Sequence, residues 1–296
     1  MRQPILFLCK LLLIILLVYG TAYALLRQLS PDPGLALSGL YTDAATRAYV
    51  IDALDLDKPY FVALANQIGR LARADFGVSL RTQRPVLSEI AHPLHLTFSL
   101  AAFVALLATL CTVAGFLAGL RHEITMKDSL MFFTSSASAF PGFLVALLLA
   151  PLFPVTQGGP FFSLWSLQAL LPVVALTLPL MPYAVSTGVC LAQDMRKLPW
   201  FETFTAFGFT PLTIAWMHGQ RWLLRGFCNV SITTFLMAFT GSVAVELVCG
   251  MPGLGVTMLD AIDTRDLPVV LAISGLTATF SGVLVLVREE LSRGEI

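Results

Sequence analysis

The chain of 296 residues is 57% hydrophobic and only 12% charged, and its 18 basic residues balance its 18 acidic residues. A soluble globular protein has about a quarter of its residues charged, so this composition excludes an ordinary water-soluble domain. The net charge of zero, with no basic patch interleaved with aromatic residues, also excludes the usual modes of nucleic-acid binding. The composition therefore predicts an integral membrane protein.

Six apolar stretches are long enough to cross a bilayer, for which a helix needs about 20 mostly apolar residues. They cover residues 5–26, 95–120, 129–153, 167–191, 229–249 and 268–287. The first stretch is too long for the core of a cleaved signal peptide, so we expect a retained spanning helix. Prolines in the third and fourth stretches are tolerated in membrane helices and often bend them. The sequence thus predicts an all-α, polytopic fold of about six spanning helices.

The first two stretches are separated by a large hydrophilic region, residues 27–93. Two amphipathic helices are expected in this region, around 47–55 and over 59–73. In the second of them, one helical face carries the apolar residues Leu64, Ile68 and Leu71.

The charges of the short loops predict the orientation of the chain in the membrane. Basic residues follow the second, fourth and sixth stretches, at Arg121, Lys127, Arg196, Lys197, Arg221, Arg225, Arg288 and Arg293. The opposite loops, 154–166 and 250–267, together carry a single basic residue, Arg265. By the positive-inside rule, both termini are cytoplasmic and the hydrophilic region lies outside.

No motif in the chain indicates catalysis. The sequence has no GxxxxGK(S/T) phosphate-binding loop and no GxSxG nucleophile motif. Among its histidines and cysteines only His92 and His95 have a spacing that could suit a metal, and for this pair at the membrane entry of the second stretch we favour an interfacial role. We therefore expect this chain to be no enzyme and to bind no metal or cofactor, so any ATP use would belong to a partner.

Ionisable residues are nearly absent from the predicted spans, where a charge is costly, and this scarcity argues against an ion-driven carrier. Lys10 lies close enough to the cytoplasmic end of the first helix to reach the interface. Glu246 lies about one turn before the outer end of the fifth stretch and is followed by Pro252, Gly253 and Gly255. It is either an interfacial carboxylate that reaches water or a polar contact at an extracytoplasmic gate.

The cytoplasmic segment 194–227 is long for a loop and predicts two short helices. The first covers about 199–207 and ends at Gly208, since glycine is typical of helix C-termini. The second begins at Thr210-Pro211, where a capping residue precedes a proline at the first helical position.

Three aromatic residues recur on the first of these short helices at a spacing of three, namely Phe201, Phe204 and Phe207. An aromatic stripe that faces the cytosol is unfavourable unless something covers it. The stripe either lies in the membrane interface or, as we favour, docks into a groove of a soluble partner.

Short sequence elements follow one another along nearly the whole chain. In chain order they are Ser30-Pro31-Asp32-Pro33, Leu56-Asp57-Lys58-Pro59, Asp75-Phe76-Gly77-Val78-Ser79-Leu80, Arg84-Pro85-Val86, Phe140-Pro141-Gly142-Phe143, and Glu246 followed by Pro252-Gly253-Leu254-Gly255. Each element is short, but the ordered set resembles the inner-membrane permeases of binding-protein-dependent ABC importers, specifically the dipeptide, oligopeptide and nickel group.

The cytoplasmic segment is similar to the permease motif E-A-A-x3-G at its outer positions, Glu202 and Gly208. It departs from the motif at Thr203 and Phe204, which suggests a divergent branch similar to the peptide-sensitivity (Sap-type) permeases. The resemblance implies coupling to an ATPase through Phe201, Glu202, Phe204, Phe207 and Gly208.

The resemblance further implies a type I ABC importer permease fold in the bacterial inner membrane, with peptides or related small solutes as cargo. It divides the chain into a first helix plus periplasmic region (1–93), a five-helix core (94–290) and a cytoplasmic tail (291–296). The implied partners are a second homologous permease, two ATP-binding subunits that carry ATP and magnesium, and a periplasmic solute-binding protein. That protein would dock near 27–93 and 252–255. The alternatives are an ion-coupled secondary transporter or channel, and a membrane-embedded enzyme or scaffold.

Overall fold

The structure, a computed structural model, describes residues 2–28, 48, 51–52, 55–121, 141–152 and 167–293. Within these ranges the secondary structure is helical, apart from one isolated bridge between Val78 and Pro85. The helices are α1 (Arg2–Gln28), α2 (Tyr60–Ala72), α3 (Val86–Arg121), α4 (Gly142–Leu149), α5 (Leu167–Arg196), α6 (Pro199–Ala206), α7 (Pro211–Met217), α8 (Gln220–Cys249), α9 (Leu254–Asp263) and α10 (Leu267–Arg293), with a 3-10 turn (Ala150–Leu152) after α4.

Five helices of the described ranges are long and apolar enough to cross a membrane, namely α1, α3, α5, α8 and α10. They confirm five of the six predicted spans. The third predicted span, 129–153, lies partly outside the described residues, and its described part consists of α4 and the 3-10 turn. The chain has the predicted all-α, polytopic fold.

The spanning helices extend beyond the apolar stretches from which they were predicted. Helix α3 begins at Val86 instead of 95, α5 continues to Arg196 instead of 191, and α8 begins at Gln220 instead of 229. Apolar character marks only the part of a helix inside the hydrocarbon, whereas the backbone hydrogen bonds continue through polar turns such as the one that contains Glu89. The predicted coupling segment 194–227 therefore ends inside α8.

The chain forms two compact units, and each is described by itself. Unit 1 comprises Met1–Leu96 and Pro252–Leu286. Its core contains the buried residues Tyr19, Tyr23, Ala63, Leu64, Leu267 and Leu271, with Ile68 and Leu71 packed against them. The predicted apolar face of α2 is therefore confirmed. The other predicted amphipathic helix, 47–55, lies largely outside the described residues.

Unit 2 comprises Thr97–Met251 and Val287–Ile296. Within it the backbones of α3 and α5 touch at two glycines. A Cβ atom on Gly188 would lie 2.1 Å from the carbonyl oxygen of Thr112, and one on Gly115 would lie 2.3 Å from the carbonyl oxygen of Val185. Small residues allow such close approach of membrane helices, so this crossing has no room for a side chain. The division into 1–93, 94–290 and 291–296 stays a prediction.

Candidate functional site

The first short cytoplasmic helix, α6, ends as its sequence predicts. Gly208 has a φ of 86°, a left-handed conformation that glycine adopts without strain. The Gly208 amide donates to the carbonyl of Thr205 at 2.9 Å, and the Phe209 amide donates to the carbonyl of Phe204 at 3.2 Å. These bonds satisfy carbonyl groups that the end of a helix leaves without partners within the helix.

The second short helix, α7, begins at the predicted cap. The Thr210 hydroxyl accepts a hydrogen bond from the amide of Thr213 at 3.3 Å, and Pro211 occupies the first turn. Helix α7 buries Ile214 and exposes Trp216, whose side chain is 73% exposed. Trp216 was not predicted as a candidate residue. Its spacing of four from Leu212, which is also exposed, places the two side chains on one face of α7 and could have indicated an apolar surface there.

The three aromatic residues of α6 do not form one exposed stripe, contrary to the prediction. Phe201 is only 5% exposed and lies in a core cluster with Phe116, Leu120, Ala192, Met195, Ile214 and Ala215. Phe204 is half-buried and stacks on the ring of His218, with centroids 3.8 Å apart. Phe207 is 74% exposed, and Glu202 is exposed as well. These two exposed residues lie about 140° apart around the helix axis, at its first turn and just after its last residue. We call Glu202 and Phe207 together the coupling surface.

The base of this segment is attached to two spanning helices. Arg196, at the end of α5, donates from its guanidinium to the carbonyl oxygen of Leu120 in the last turn of α3. A cation at this position compensates the partial negative charge of a helix C-terminus. The neighbouring Met195 is fully buried in the same cluster as Phe201. The ends of α3 and α5 and the start of α6 are therefore in direct contact.

Glu246 in α8 is fully buried, so the structure does not place it as an interfacial carboxylate that reaches water. It accepts a hydrogen bond from the hydroxyl of Thr97 in α3 at 2.6 Å. Beside this pair, Phe98 packs edge-to-face on Phe235 and Phe239, with ring centroids 5.8 and 5.2 Å apart. The carboxyl group thus connects α3 and α8 inside an apolar environment.

The segment after Glu246 turns sharply into α9. Gly250 ends α8 in a left-handed conformation with a φ of 63°, and Gly253 is the residue that precedes α9. Pro252 is exposed, whereas Gly253 and Gly255 are buried. Residues 252–255 belong to unit 1 and Glu246 belongs to unit 2, so their common role at a gate stays a prediction.

Asp266 is a buried carboxylate that the sequence analysis missed. It is only 3% exposed and accepts hydrogen bonds from the Ser79 hydroxyl, the Leu80 amide at 3.1 Å and the Arg81 amide at 3.4 Å. Because Asp266 directly precedes α10, it fixes the extracytoplasmic turn at Ser79 to the start of that helix. A lone aspartate before a helix resembles an ordinary cap, so this contact with Ser79 could not be recognised from local sequence.

Replacing Asp266 with alanine is expected to release the turn. Hydrogen bonds to a charged group contribute about 1.5–3 kcal/mol, so deuterium exchange at the Leu80 and Arg81 amides should accelerate about tenfold or more. Exchange measured by mass spectrometry on the membrane-embedded chain tests this. Asp260→Ala removes an exposed carboxylate of α9 and serves as the control. Unchanged exchange in Asp266→Ala would contradict the anchoring role.

The chain matches a family model described as the binding-protein-dependent transport system inner membrane component, over residues 111–293. It is 27% identical over 268 residues to a Brucella abortus (strain 2308) protein whose name describes a peptide transport system permease, with 87% of this chain and 85% of the relative covered. It is 28% identical over 265 residues to the glutathione transport system permease protein GsiC of Salmonella typhimurium (strain LT2), with the same coverage of 87% and 85%.

The family match extends over more than half of the chain and includes the coupling surface and Glu246. The resemblance to ABC importer permeases of the peptide type is confirmed, while the Sap-type branch stays a prediction. Permeases of this family work with ATPase and solute-binding partners. Together with its five described spans, the match shows that the chain belongs to the inner membrane components of binding-protein-dependent transport systems, as a permease subunit of an ABC transporter in the inner membrane.

Proposed function

We propose that this chain forms half of the translocation pathway of an ATP-driven importer for peptides or related small solutes. The cargo class is supported by the relatives, whose names describe transport of peptides and of glutathione, itself a tripeptide. The scarcity of charged residues in the predicted spans supports ATP over an ion gradient as the energy source. The chain itself supplies no catalytic residue in this scheme.

The partners complete the transporter. A second homologous permease forms the other half of the pathway, and two ATP-binding subunits hold ATP and magnesium. A periplasmic solute-binding protein delivers the cargo to the outer face, close to the extracytoplasmic turn at Ser79 and to residues 252–255. The loop charges support this orientation, since they place both ends of the chain in the cytoplasm.

The coupling surface transmits the movement of the ATPase, and its geometry is the observation that carries the proposal. Phe207 is a large exposed anchor and Glu202 lies in the first turn of the same helix, as suits a helix that docks into a groove. Phe201 links them to the core cluster, and Arg196 links that cluster to α3. A shift of α6 is thereby passed to two spanning helices.

Thr97 lies toward the opposite end of α3, where it contacts Glu246 of α8. Their hydrogen bond connects α3 to α8 in a buried environment, where a polar contact is stronger than in water. We assign this pair the role of an extracytoplasmic gate contact that forms in one state of the cycle and breaks in the other. Residues 252–255 continue the same gate segment along the chain.

Uptake in whole cells tests the function. A strain without this chain should lose accumulation of labelled tri-alanine or glutathione, and the chain supplied in trans should restore it. Arsenate, which depletes ATP, should abolish the restored uptake, whereas a protonophore in cells with maintained ATP should leave it intact. The opposite sensitivity would favour the ion-coupled alternative and overturn the proposal.

Replacing Gly208 with valine is expected to uncouple transport from ATP hydrolysis. A left-handed conformation costs a residue with a side chain about 1–2 kcal/mol. Among the described residues, no atom lies within 4 Å of a Cβ atom built on Gly208, so the expected effect comes from the backbone conformation. We expect uptake to fall severalfold while the chain still assembles with its ATPase and ATP hydrolysis persists.

Gly208→Asn is the matched control, because asparagine tolerates the left-handed conformation. It should retain most of the uptake. Wild-type uptake in Gly208→Val would remove the support for a coupling role of the end of α6.

A further inference from the structure

Helix α2 lies beside the end of the first spanning helix. The Tyr60 hydroxyl donates to the carbonyl oxygen of Gly20 at 2.8 Å, and the rings of Tyr60 and Tyr23 are 5.9 Å apart. Gly20 belongs to the apolar span Leu6–Leu25 and lies about 8 Å before its end, at about 1.5 Å per residue. The start of α2 is therefore level with the outer part of this span.

The other end of α2 reaches a second spanning helix at a similar depth. Leu71 packs closely on Gly275 of α10. A Cβ atom on Gly275 would lie 2.9 Å from the side chain of Leu71. Gly275 lies about 12 Å along α10 from Leu267, where that span begins. Both ends of α2 thus contact membrane-spanning helices within their apolar stretches.

The opposite face of α2 is apolar although it is exposed. Phe61 is 81% exposed and Val62 is 50% exposed. The same face continues through Ala65, Gly69 and Ala72, and a Cβ atom on Gly69 would meet no atom of a neighbouring element within 4 Å in the part of the chain that the structure describes. A helix surface in water normally carries charged residues, and within α2 this face carries none; Asn66 and the following residue Arg73 lie at its edge.

The geometry points to lipid as the occupant of this face: α2 lies in the outer leaflet as an interfacial helix, with Phe61 and Val62 in contact with acyl chains. The membrane-spanning helix α1, on which α2 packs, likewise exposes apolar side chains, among them Leu16, Leu17 and Leu25. Tyr60, at the start of α2, is of a residue type that is enriched at the interface between hydrocarbon and headgroups. The hydrophilic region is thereby fixed to the bilayer and not only to the protein.

Tryptophan fluorescence tests the lipid contact. The variant Phe61→Trp, with wild type subtracted, is placed in vesicles of phosphatidylcholine and phosphatidylglycerol with or without bromine near the top of the acyl chains. We expect the added emission to be blue-shifted, to fall severalfold with brominated lipid and to resist aqueous iodide. Phe207→Trp is the matched control at a comparably exposed phenylalanine of the cytoplasmic coupling surface, and iodide should quench it.

Quenching of Phe61→Trp by iodide but not by brominated lipid would overturn the inference in favour of a water-exposed surface that a soluble binding protein covers. Resistance to both quenchers would overturn it in favour of a second permease. If Phe61→Trp does not accumulate in the membrane, Val62→Trp gives the same readout. The test needs neither cargo nor ATP, so its outcome is independent of the proposed transport function.

Discussion

Replacing Gly188 with valine is expected to abolish assembly of the folded chain. This effect is larger than the one expected from any of the other substitutions. The Cβ atom of the new side chain would lie 2.1 Å from the carbonyl oxygen of Thr112. Because this oxygen belongs to the backbone of a spanning helix, it cannot move without moving the helix. Overpacking of an ordinary core costs about 1–3 kcal/mol, and a clash between two backbones exceeds that range. The amount of chain that stays monodisperse in mild detergent measures the effect.

Gly241→Ala is the matched control in another spanning helix. A Cβ atom at Gly241 would lie 3.8 Å from Leu176, an ordinary van der Waals contact, so this variant should assemble like wild type. Gly115→Val should reproduce the defect of Gly188→Val, because it inserts a side chain into the same crossing from the other helix. Normal assembly of both valine variants would show that α3 and α5 do not cross at these glycines.

Replacing Glu246 with alanine is expected to leave the chain in the membrane but to reduce uptake about tenfold or more. The substitution removes the acceptor of the Thr97 hydroxyl and opens a cavity in a buried site, at a cost of about 1–3 kcal/mol for the hydrogen bond alone. Loss of a contact that forms in only one state shifts the equilibrium between states, so ATP hydrolysis without cargo should rise as uptake falls.

Glu246→Gln separates hydrogen bonding from charge, since glutamine keeps the shape and a carbonyl acceptor. It should retain most of the uptake. Thr97→Val removes the donor without changing the volume, and in combination with Glu246→Ala it should add little further loss. Additive losses in the double variant would show that the two residues act separately, and the assignment of a gate contact would then fail.

The spanning helices could be predicted from the sequence because hydrocarbon imposes a simple requirement of length and apolarity. Their ends could not, because polar turns such as the one at Arg221 satisfy backbone hydrogen bonds as well as apolar turns do. The predicted caps of α6 and α7 are confirmed because Gly208 and Thr210 act locally, through their own backbone and side chain. Local chemistry of this kind is visible in a few neighbouring residues.

The candidate site was predicted less well because its contacts depend on distant residues. A spacing of three rotates a helical side chain by about 300° per step, so Phe207 points about 120° away from Phe201. This rotation around the helix axis places Phe201 in the core and Phe207 on the surface. More than half of the chain separates Asp266 from its partner, and about half of the chain separates Glu246 from its partner. No periodicity in the sequence reveals pairs so far apart.

The glycine crossing turns α3 into a lever. With Gly115 held against the backbone of α5, Leu120 lies about 8 Å from this pivot and Thr97 about 27 Å on its other side. If the coupling surface moves as we propose, a tilt of α3 about this pivot displaces Thr97 between threefold and fourfold farther than Leu120, where Arg196 attaches. On that proposal, a displacement of about 1 Å at Leu120 carries Thr97 beyond the normal length of its hydrogen bond to Glu246.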